Sequence, residues 1–534
     1  MAFMAAWVLL GAGEAMVVAA ADVPAVADAG GAAVQARISG GVVEGVTTSD
    51  VIAFKGIPFA APPVGANRWR APQPVVPWTG VRKAGQYGPD CMQVPFPGDA
   101  APLGVTPAED CLYLNVWKPA GPDVHRPVMV WIYGGGFVNG GASPAVYDGS
   151  AFARDGIVLV SFNYRVGNFG FFAHPALSAQ QRGRPLGNYA YMDQIAALKW
   201  VKRNIAAFGG DAANVTIFGE SAGGISVHAL LLAPEARGLF QKAIIESGAG
   251  DAGVGGRRLT GGADSGEARG LALAEHFGIQ GGAEALAQLR ALPADKLVDG
   301  LNMASMGGNA SFAGGPLLDG YLEHGSPVAQ YVRGLGARVP VVVGANSADL
   351  GFGFMGARSL DDLYAQFGPD AELARQTYAA PSGMPVMAVA FQAGGDQMMV
   401  EPARRTAQLL AARGQPVYEY RFSYVAESLR KTTPGAGHAT EIPFVFDTVA
   451  ARYGKDLTAA DEASARAMHA YWVAFARTGR PEVPGLPAWP AYDAHQDELL
   501  NFTADGPVAQ PDPWKQRLDL AERYSKRQQA AAAP

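Results

Sequence analysis

The chain runs to 534 residues with 68 glycines and 38 prolines; 49% of it is hydrophobic and only 17% charged, against roughly 25% charged in an average soluble domain. So apolar and turn-rich a composition excludes intrinsic disorder, and the lack of a Gly-X-Y period excludes collagen. The formal net charge of −6, from 42 basic and 48 acidic residues, gives no positive field for a phosphate backbone, so nucleic acid is not an expected partner.

The first residues are a targeting candidate. Met1 to Ala21 are mostly apolar and end in small residues that suit a signal peptidase near Ala21 or Ala27, although no Lys or Arg precedes them and Glu14 interrupts the run. Residues 1–27 are therefore read as an export signal, which implies a secreted or periplasmic protein. No other stretch of about 18 uncharged apolar residues follows, so no membrane span is expected after cleavage. No spacer, charge block or internal repeat divides the remainder: residues 28–520 read as one domain and 521–534 as a polar, alanine-rich tail. Cys91 and Cys111 are the only cysteines. They flank a Pro- and Gly-rich loop that a disulfide could close, or they are two ordinary buried thiols.

Taken in chain order, the segment from Arg37 reads as strands and turns, and Val128 to Ile132 (VMVWI) and Ile157 to Phe162 (IVLVSF) as buried strands. Met192 to Asn204 has helical apolar spacing. Asp211 to Asn214 leads into a strand, Val215 to Phe218, and a helix is expected just past Ser221. Ala243 to Ile245 and Val339 to Val343 are further short apolar runs, and residues 266–300 look helical. Short strands alternating with helices predict a largely parallel, doubly wound α/β sheet with its sites at the carboxyl ends of the strands.

The strand VTIF runs into Gly219-Glu220-Ser221-Ala222-Gly223-Gly224 and then an apolar helix. This is the only G-x-S-x-G in the chain, and it stands in the strand, turn and helix context that exposes a nucleophilic serine above a sheet. A serine hydroxyl needs a base and an orienting carboxylate, which in this fold class follow in the order Ser, acid, His. Of the late histidines, His469 lies in the amphipathic run Ala459 to Arg477 and His495 in a polar loop. His438 stands in the glycine turn Gly435 to Ala439 and is the expected base. Asp349 is the only carboxylate of the turn after VVVGAN and is the expected acid; Asp319 competes but reads as a turn cap. Tyr133-Gly134-Gly135-Gly136-Phe137, after VMVWI, has the form of a loop that aims backbone N–H groups at an oxyanion, with Ala222 supplying another. No cluster has metal-ligand spacing, and the G-x-G-x-x-G run Gly248 to Gly253 leads into no helix, so neither metal nor organic cofactor is expected.

EDCLYLNVW (Glu109 to Trp117), WIYGGGF (Trp131 to Phe137), FGESAGG (Phe218 to Gly224) and GHATEIPFVF (Gly437 to Phe446) together resemble the type-B carboxylesterases, the group that includes cholinesterases and bacterial esterases. The resemblance runs from about Arg37 to Tyr492. It implies an α/β-hydrolase fold, a large central mostly parallel sheet flanked by helices, with Ser221 as nucleophile, His438 as base and Gly135, Gly136 and Ala222 as oxyanion donors. It further implies that Cys91 and Cys111 are disulfide-bonded, and that Glu220, Ser226 and Glu441 form a buried supporting network. One departure concerns the acid: the family usually carries glutamate where Asp349 stands, one methylene longer, so the loop must shift inward if aspartate is to serve. The implied reaction is hydrolysis of a small-molecule ester through an acyl-enzyme. Choline esters are disfavoured, because the loop from Cys91 to Cys111 has Phe96 as its only aromatic. Ala249, Gly250 and Asp251 suggest a roomy acyl side, suited to general esters or to a dedicated xenobiotic, mycotoxin or polyester-fragment ester. The same fold includes non-catalytic adhesion proteins that have lost the nucleophile or base, whereas Ser221 and His438 are both present here.

Overall fold

A computed structural model describes residues 34–532 apart from 123, 182, 184, 185, 254, 255, 281, 283, 307–311, 313 and 382. The expected export signal lies outside these residues. Among the described residues thirteen strands form one sheet: β1 (Val34–Ile38), β2 (Gly41–Thr48), β3 (Val51–Pro58), β4 (Val81–Lys83), β5 (Tyr113–Pro119), β6 (Arg126–Ile132), β7 (Val158–Phe162), β8 (Gly210–Glu220), β9 (Lys242–Glu246), β10 (Val341–Asn346), β11 (Val417–Phe422), β12 (Glu498–Thr503) and β13 (Gly506–Pro511). Their order is β1-β2-β3-β5-β7-β6-β8-β9-β10-β11-β12-β13, with β4 paired to β2.

The run from β7 to β12 is parallel throughout. Both flanks are antiparallel, apart from the short β4, which runs parallel to β2. The sheet is thus mixed: the expectation of a mostly parallel sheet holds for its centre, where β-branched and aromatic runs such as Val158–Phe162 are buried on both faces. The amino-terminal strands instead form a meander joined by short turns, which only antiparallel neighbours allow.

Helices cover both faces. The predicted helix before β8 spans Tyr189–Asn204, and the one after Ser221 spans Ala222–Leu232. Ala459–Thr478 begins with a reciprocal capping box between Thr458 and Asp461 and ends at Gly479 in the left-handed region, φ 77°. The stretch read as helical over 266–300 is three pieces, Gly266–His276, Ala285–Ala291 and Ala294–Val298. Residues 521–532, expected as a tail, complete a helix Lys515–Ala532. Its Leu520 and Tyr524 join Phe354, Phe367 and Tyr378 in a second hydrophobic cluster beside the main core, and Arg517 forms a two-pronged ion pair with the buried Asp396, at 2.8 and 2.6 Å. The polar composition of the tail masked a one-sided apolar stripe. Cys91 and Cys111 are bonded as a disulfide. Among the described residues no helix is long and apolar enough to cross a membrane.

Candidate active site

The chemistry-bearing residues lie at the carboxyl ends of β6, β8, β9, β10 and β11, consecutive neighbours in the sheet. Ser221 follows β8 directly and caps the helix Ala222–Leu232 with φ 57° and ψ −122°. For a residue with a Cβ such a conformation costs on the order of 1–3 kcal/mol and persists only where its surroundings impose it. Here Ser221 N–H donates to the Glu246 carbonyl at 3.0 Å, and its own carbonyl accepts from Ile225 N–H at 2.9 Å. A Cβ at Gly223 would run into the Ile132 carbonyl, and one at Gly219 would lie 2.6 Å from it, so the motif's glycines are what let β6 and the turn approach.

His438 is carried by a turn after β11 and is mostly shielded, whereas the Asp349 carboxylate after β10 is fully buried. Their Nδ1 and Oδ1 atoms are 2.6 Å apart. The second Asp349 oxygen accepts from the Ser247 hydroxyl at 2.7 Å and the Asn346 N–H at 2.9 Å. Burial alone would raise the Asp349 pKa, but the charge and hydrogen bond of His438, with those two donors, outweigh it and hold the carboxyl below its usual value. Burial would lower the His438 pKa; Asp349 reverses this, and the imidazole sits above its ordinary value.

His438 Nε2 faces Glu220 Oε1 at 3.1 Å, and the Ser221 hydroxyl makes no hydrogen bond among the described residues. The imidazole thus meets the residue preceding Ser221, with no hydrogen bond to the serine hydroxyl itself. Such catalytic contacts commonly tighten only when substrate is present.

The glycine loop expected to bind an oxyanion follows β6. Gly135 and Gly136 have φ of 102° and 61°, conformations that glycine adopts without strain. A Cβ on Gly134 would lie 2.9 Å from that of Ser221, which shows how close the loop comes. The N–H groups of Gly135, Gly136 and Ala222 have no hydrogen-bond partner among the described residues. Ala222 is the first residue of its helix, where free N–H groups and the helix dipole favour negative charge.

Behind these groups lies a nest of carboxyls. Glu220, Glu246 and Glu441 are all buried. Burial, reinforced by the neighbouring carboxylates, pushes Glu220 and Glu441 well above the usual range. Burial likewise pushes Glu246 up to about 8 against the opposing Trp472 hydrogen bond, which spans 2.8 Å. Protonated carboxyls are far cheaper to bury than carboxylates. Glu441 accepts from Asn346 Nδ2, which also reaches the Gly437 carbonyl at 2.7 Å, linking the network to the His438 turn.

Ser226 is not hydrogen-bonded to these carboxyls: it donates to the Ala222 carbonyl at 2.8 Å and accepts from Gln194 at 2.9 Å. Ser247, Glu246, Asn346 and Trp472 were not singled out from the sequence. Ser247 carries one local signal, its place in the Glu246-Ser247-Gly248 turn directly after β9 with φ 45°. The competing residues fall elsewhere. Asp319 caps its turn, accepting from the N–H groups of Tyr321, Leu322 and Glu323, each at 2.9 Å. His469 is buried with Nδ1 2.7 Å from the Val445 carbonyl, and His495 is exposed. Asp251, expected beside a roomy acyl side, accepts from the Ser326 hydroxyl at 2.5 Å and from Gln529 of the last helix at 3.0 Å.

The raised His438 pKa has a kinetic consequence. A base must be neutral in the free enzyme, so kcat/KM is expected to fall on acidification through a midpoint above about 6.5, the ordinary imidazole value. Stability runs the other way. A raised His438 contributes stability fully present below the unfolded imidazole pKa and lost as pH rises through the folded one; a depressed Asp349 contributes stability present above the unfolded carboxylate pKa and lost as pH falls through the folded one. A pH profile of kcat/KM, set beside thermal unfolding at each pH, checks both signs; an acid limb centred below 6.5 contradicts the first.

Comparison with known proteins places this geometry in context. The sequence profile of the carboxylesterase family matches residues 32–367 and 374–520. A fumonisin B1 esterase of Sphingopyxis macrogoltabida is 36% identical over 491 residues, covering 86% of this chain and 85% of that protein. A para-nitrobenzyl esterase of Bacillus subtilis is 35% identical over 477 residues, covering 86% and 93%. Among solved structures, a Geobacillus stearothermophilus carboxylesterase superposes with a TM-score of 0.76 at 34% identity, over 91% of this chain and 99% of that one. With the family profile spanning almost the whole described chain and these relatives matched over most of their own length, the chain belongs to the carboxylesterase family and is a carboxylic-ester hydrolase of the α/β-hydrolase fold.

Proposed function

We propose that the protein hydrolyses esters through an acyl-enzyme on Ser221, with His438 as general base and Asp349 as the acid that orients it. The observation that carries this reading is the 2.6 Å contact of His438 with a fully buried Asp349, beside a serine held at φ 57°. His438 takes the Ser221 proton as Oγ attacks the ester carbonyl carbon. The oxygen that becomes negative is held by the N–H groups of Gly135, Gly136 and Ala222. Collapse breaks the bond to the alcohol, which leaves with the proton from His438. Water, deprotonated by the same imidazole, then attacks the acyl carbon and releases the acid and Ser221. Asp349 fixes the imidazole tautomer and stabilises its cation.

Beside the oxyanion loop the wall is apolar. Val138, Leu301 and Phe312 are buried with Met303 and Met306 packed on them, and the Met306 sulfur would lie 3.3 Å from a Cβ at Gly136. Methionines adapt to varied shapes, which favours neutral, apolar esters over a single small substrate. The Sphingopyxis relative is named an esterase of fumonisin B1, and this chain's substrates are proposed to extend to esters of that kind. The disulfide supports export to an oxidising compartment. Incubation with a p-nitrophenyl phosphonate is expected to add one phosphonyl group at Ser221, located by peptide mass spectrometry, and to abolish turnover. An unlabelled protein, or a label on another serine, would overturn the proposal.

A further inference from the structure

The acid loop, residues 346–351, is held from two sides. On one side it is stitched to the base loop: Ala348 N–H donates to the Ala436 carbonyl at 2.8 Å, Ala436 N–H donates to the Ser347 hydroxyl at 2.9 Å, and Ala348 bridges to Gly437. On the other side it meets the end of the helix Val386–Gly395, where that helix passes into a single π-helical turn, Asp396–Val400. The contact there is backbone on backbone, between three glycines and Asp349 itself. A Cβ on Gly395 would lie 2.6 Å from the Asp349 carbonyl oxygen, one on Gly394 would lie 2.8 Å from the Gly351 carbonyl carbon, and one on Gly351 would overlap Gly394. None of the three has a positive φ, so left-handed backbone does not account for the choice of glycine; the missing side chains do.

We propose that Gly351, Gly394 and Gly395 are positioning residues for the triad, and that their seam seats the acid loop at the depth at which the Asp349 carboxylate meets His438. This rests on the reading of Asp349 as the triad acid. A glutamate would carry its carboxylate one carbon–carbon bond, roughly 1.5 Å, further from the backbone. At position 349 the slot has no such room. The aspartate already meets His438 Nδ1 at 2.6 Å and fills its second oxygen with two donors at 2.7 and 2.9 Å. The π-helical turn keeps the glycines against the loop, because the turn is pinned from outside: Arg517 of the last helix and the Tyr378 hydroxyl, at 2.8 Å, both hold Asp396. Extra-residue turns of this kind re-aim a helix locally and recur at functional sites.

The test is a double-mutant cycle on kcat and KM for p-nitrophenyl butyrate, using Gly395→Ala, Asp349→Glu and the two combined, with thermal unfolding recorded for each. Gly395→Ala is expected to push the loop off the helix toward the base loop and to lower kcat 10- to 100-fold with KM changed less than threefold. Asp349→Glu alone is expected to lower kcat at least tenfold. The combination is expected to lose at least tenfold more than the product of the two single losses, because both changes crowd the same carboxylate against His438. A purely structural role for Gly395 would give losses that multiply, and that result overturns the proposal. Should Gly395→Ala fail to fold, Asp349→Glu still decides: parental activity in the intact seam overturns the proposal. Asp349→Asn separates the two levels. If it keeps parental activity, the acid assignment falls; if it is inactive while Gly395→Ala is unimpaired, the seam proposal alone falls.

Discussion

Replacing Ser221 with alanine is expected to lower kcat for ester hydrolysis on the order of a millionfold while leaving the fold intact. On the proposed mechanism the loss is this large because triad members act as a unit: without the hydroxyl no acyl-enzyme forms, and His438 and Asp349 have nothing to activate. What survives is the contribution of the oxyanion donors and of binding, roughly 10³–10⁴-fold over water. Stability should change by less than about 0.5 kcal/mol, the usual range where no special contact is removed, since the Ser221 hydroxyl makes no hydrogen bond among the described residues and alanine meets the same backbone strain at φ 57°. Single-turnover kinetics and denaturant unfolding of the variant measure the two separately. Residual activity above one part in a thousand, in protein free of parental enzyme, would remove Ser221 from the role of nucleophile.

Asp349→Asn is the second large effect, with an expected loss of about 10⁴-fold in kcat. Asp349 accepts on both oxygens: from His438 on one, and from Ser247 and Asn346 on the other. An amide offers one acceptor oxygen and one NH₂ group, so it must fail one side. If its oxygen stays with Ser247 and Asn346, its NH₂ faces Nδ1 and selects the imidazole tautomer whose Nε2 carries a proton and cannot act as base. The variant also loses the charge that raises the His438 pKa. The acid limb of whatever activity remains should therefore move to lower pH, a shift that mere misfolding would not produce. Activity within tenfold of the parent would exclude Asp349 as the acid.

Not all of this site was equally legible from sequence. The Ser221 turn was, because its constraint is local: strand, sharp turn and helix are contiguous, and the glycines at 219 and 223 are required by contacts with β6 and within the turn itself. His438 was legible as the late histidine in a glycine turn, and Asp349 as the only carboxylate after a buried strand. The carboxyl nest was less so. Glu220 and Glu441 came only from resemblance, while Glu246 is held by Trp472 from 226 residues away, a separation across which no periodicity or motif signals a contact. Ser226 shows the converse, since resemblance placed it in that nest and the structure pairs it with Gln194. The last helix was misjudged because its polar composition says nothing of the Phe354 and Phe367 surface that its few apolar residues meet.

By itself, then, the sequence determined the reaction class and singled out Ser221 and His438 as the candidate nucleophile and base, for steric rules acting over a few residues leave G-x-S-x-G after a buried strand little other use. The tertiary structure decided what those rules cannot reach. It set how the sheet's flanks pair, which carboxyls lie behind the imidazole, and how closely the acid loop approaches it. That last distance depends on backbone meeting backbone between Gly351 and Gly394–Gly395, some forty residues apart, and only the packed chain fixes it.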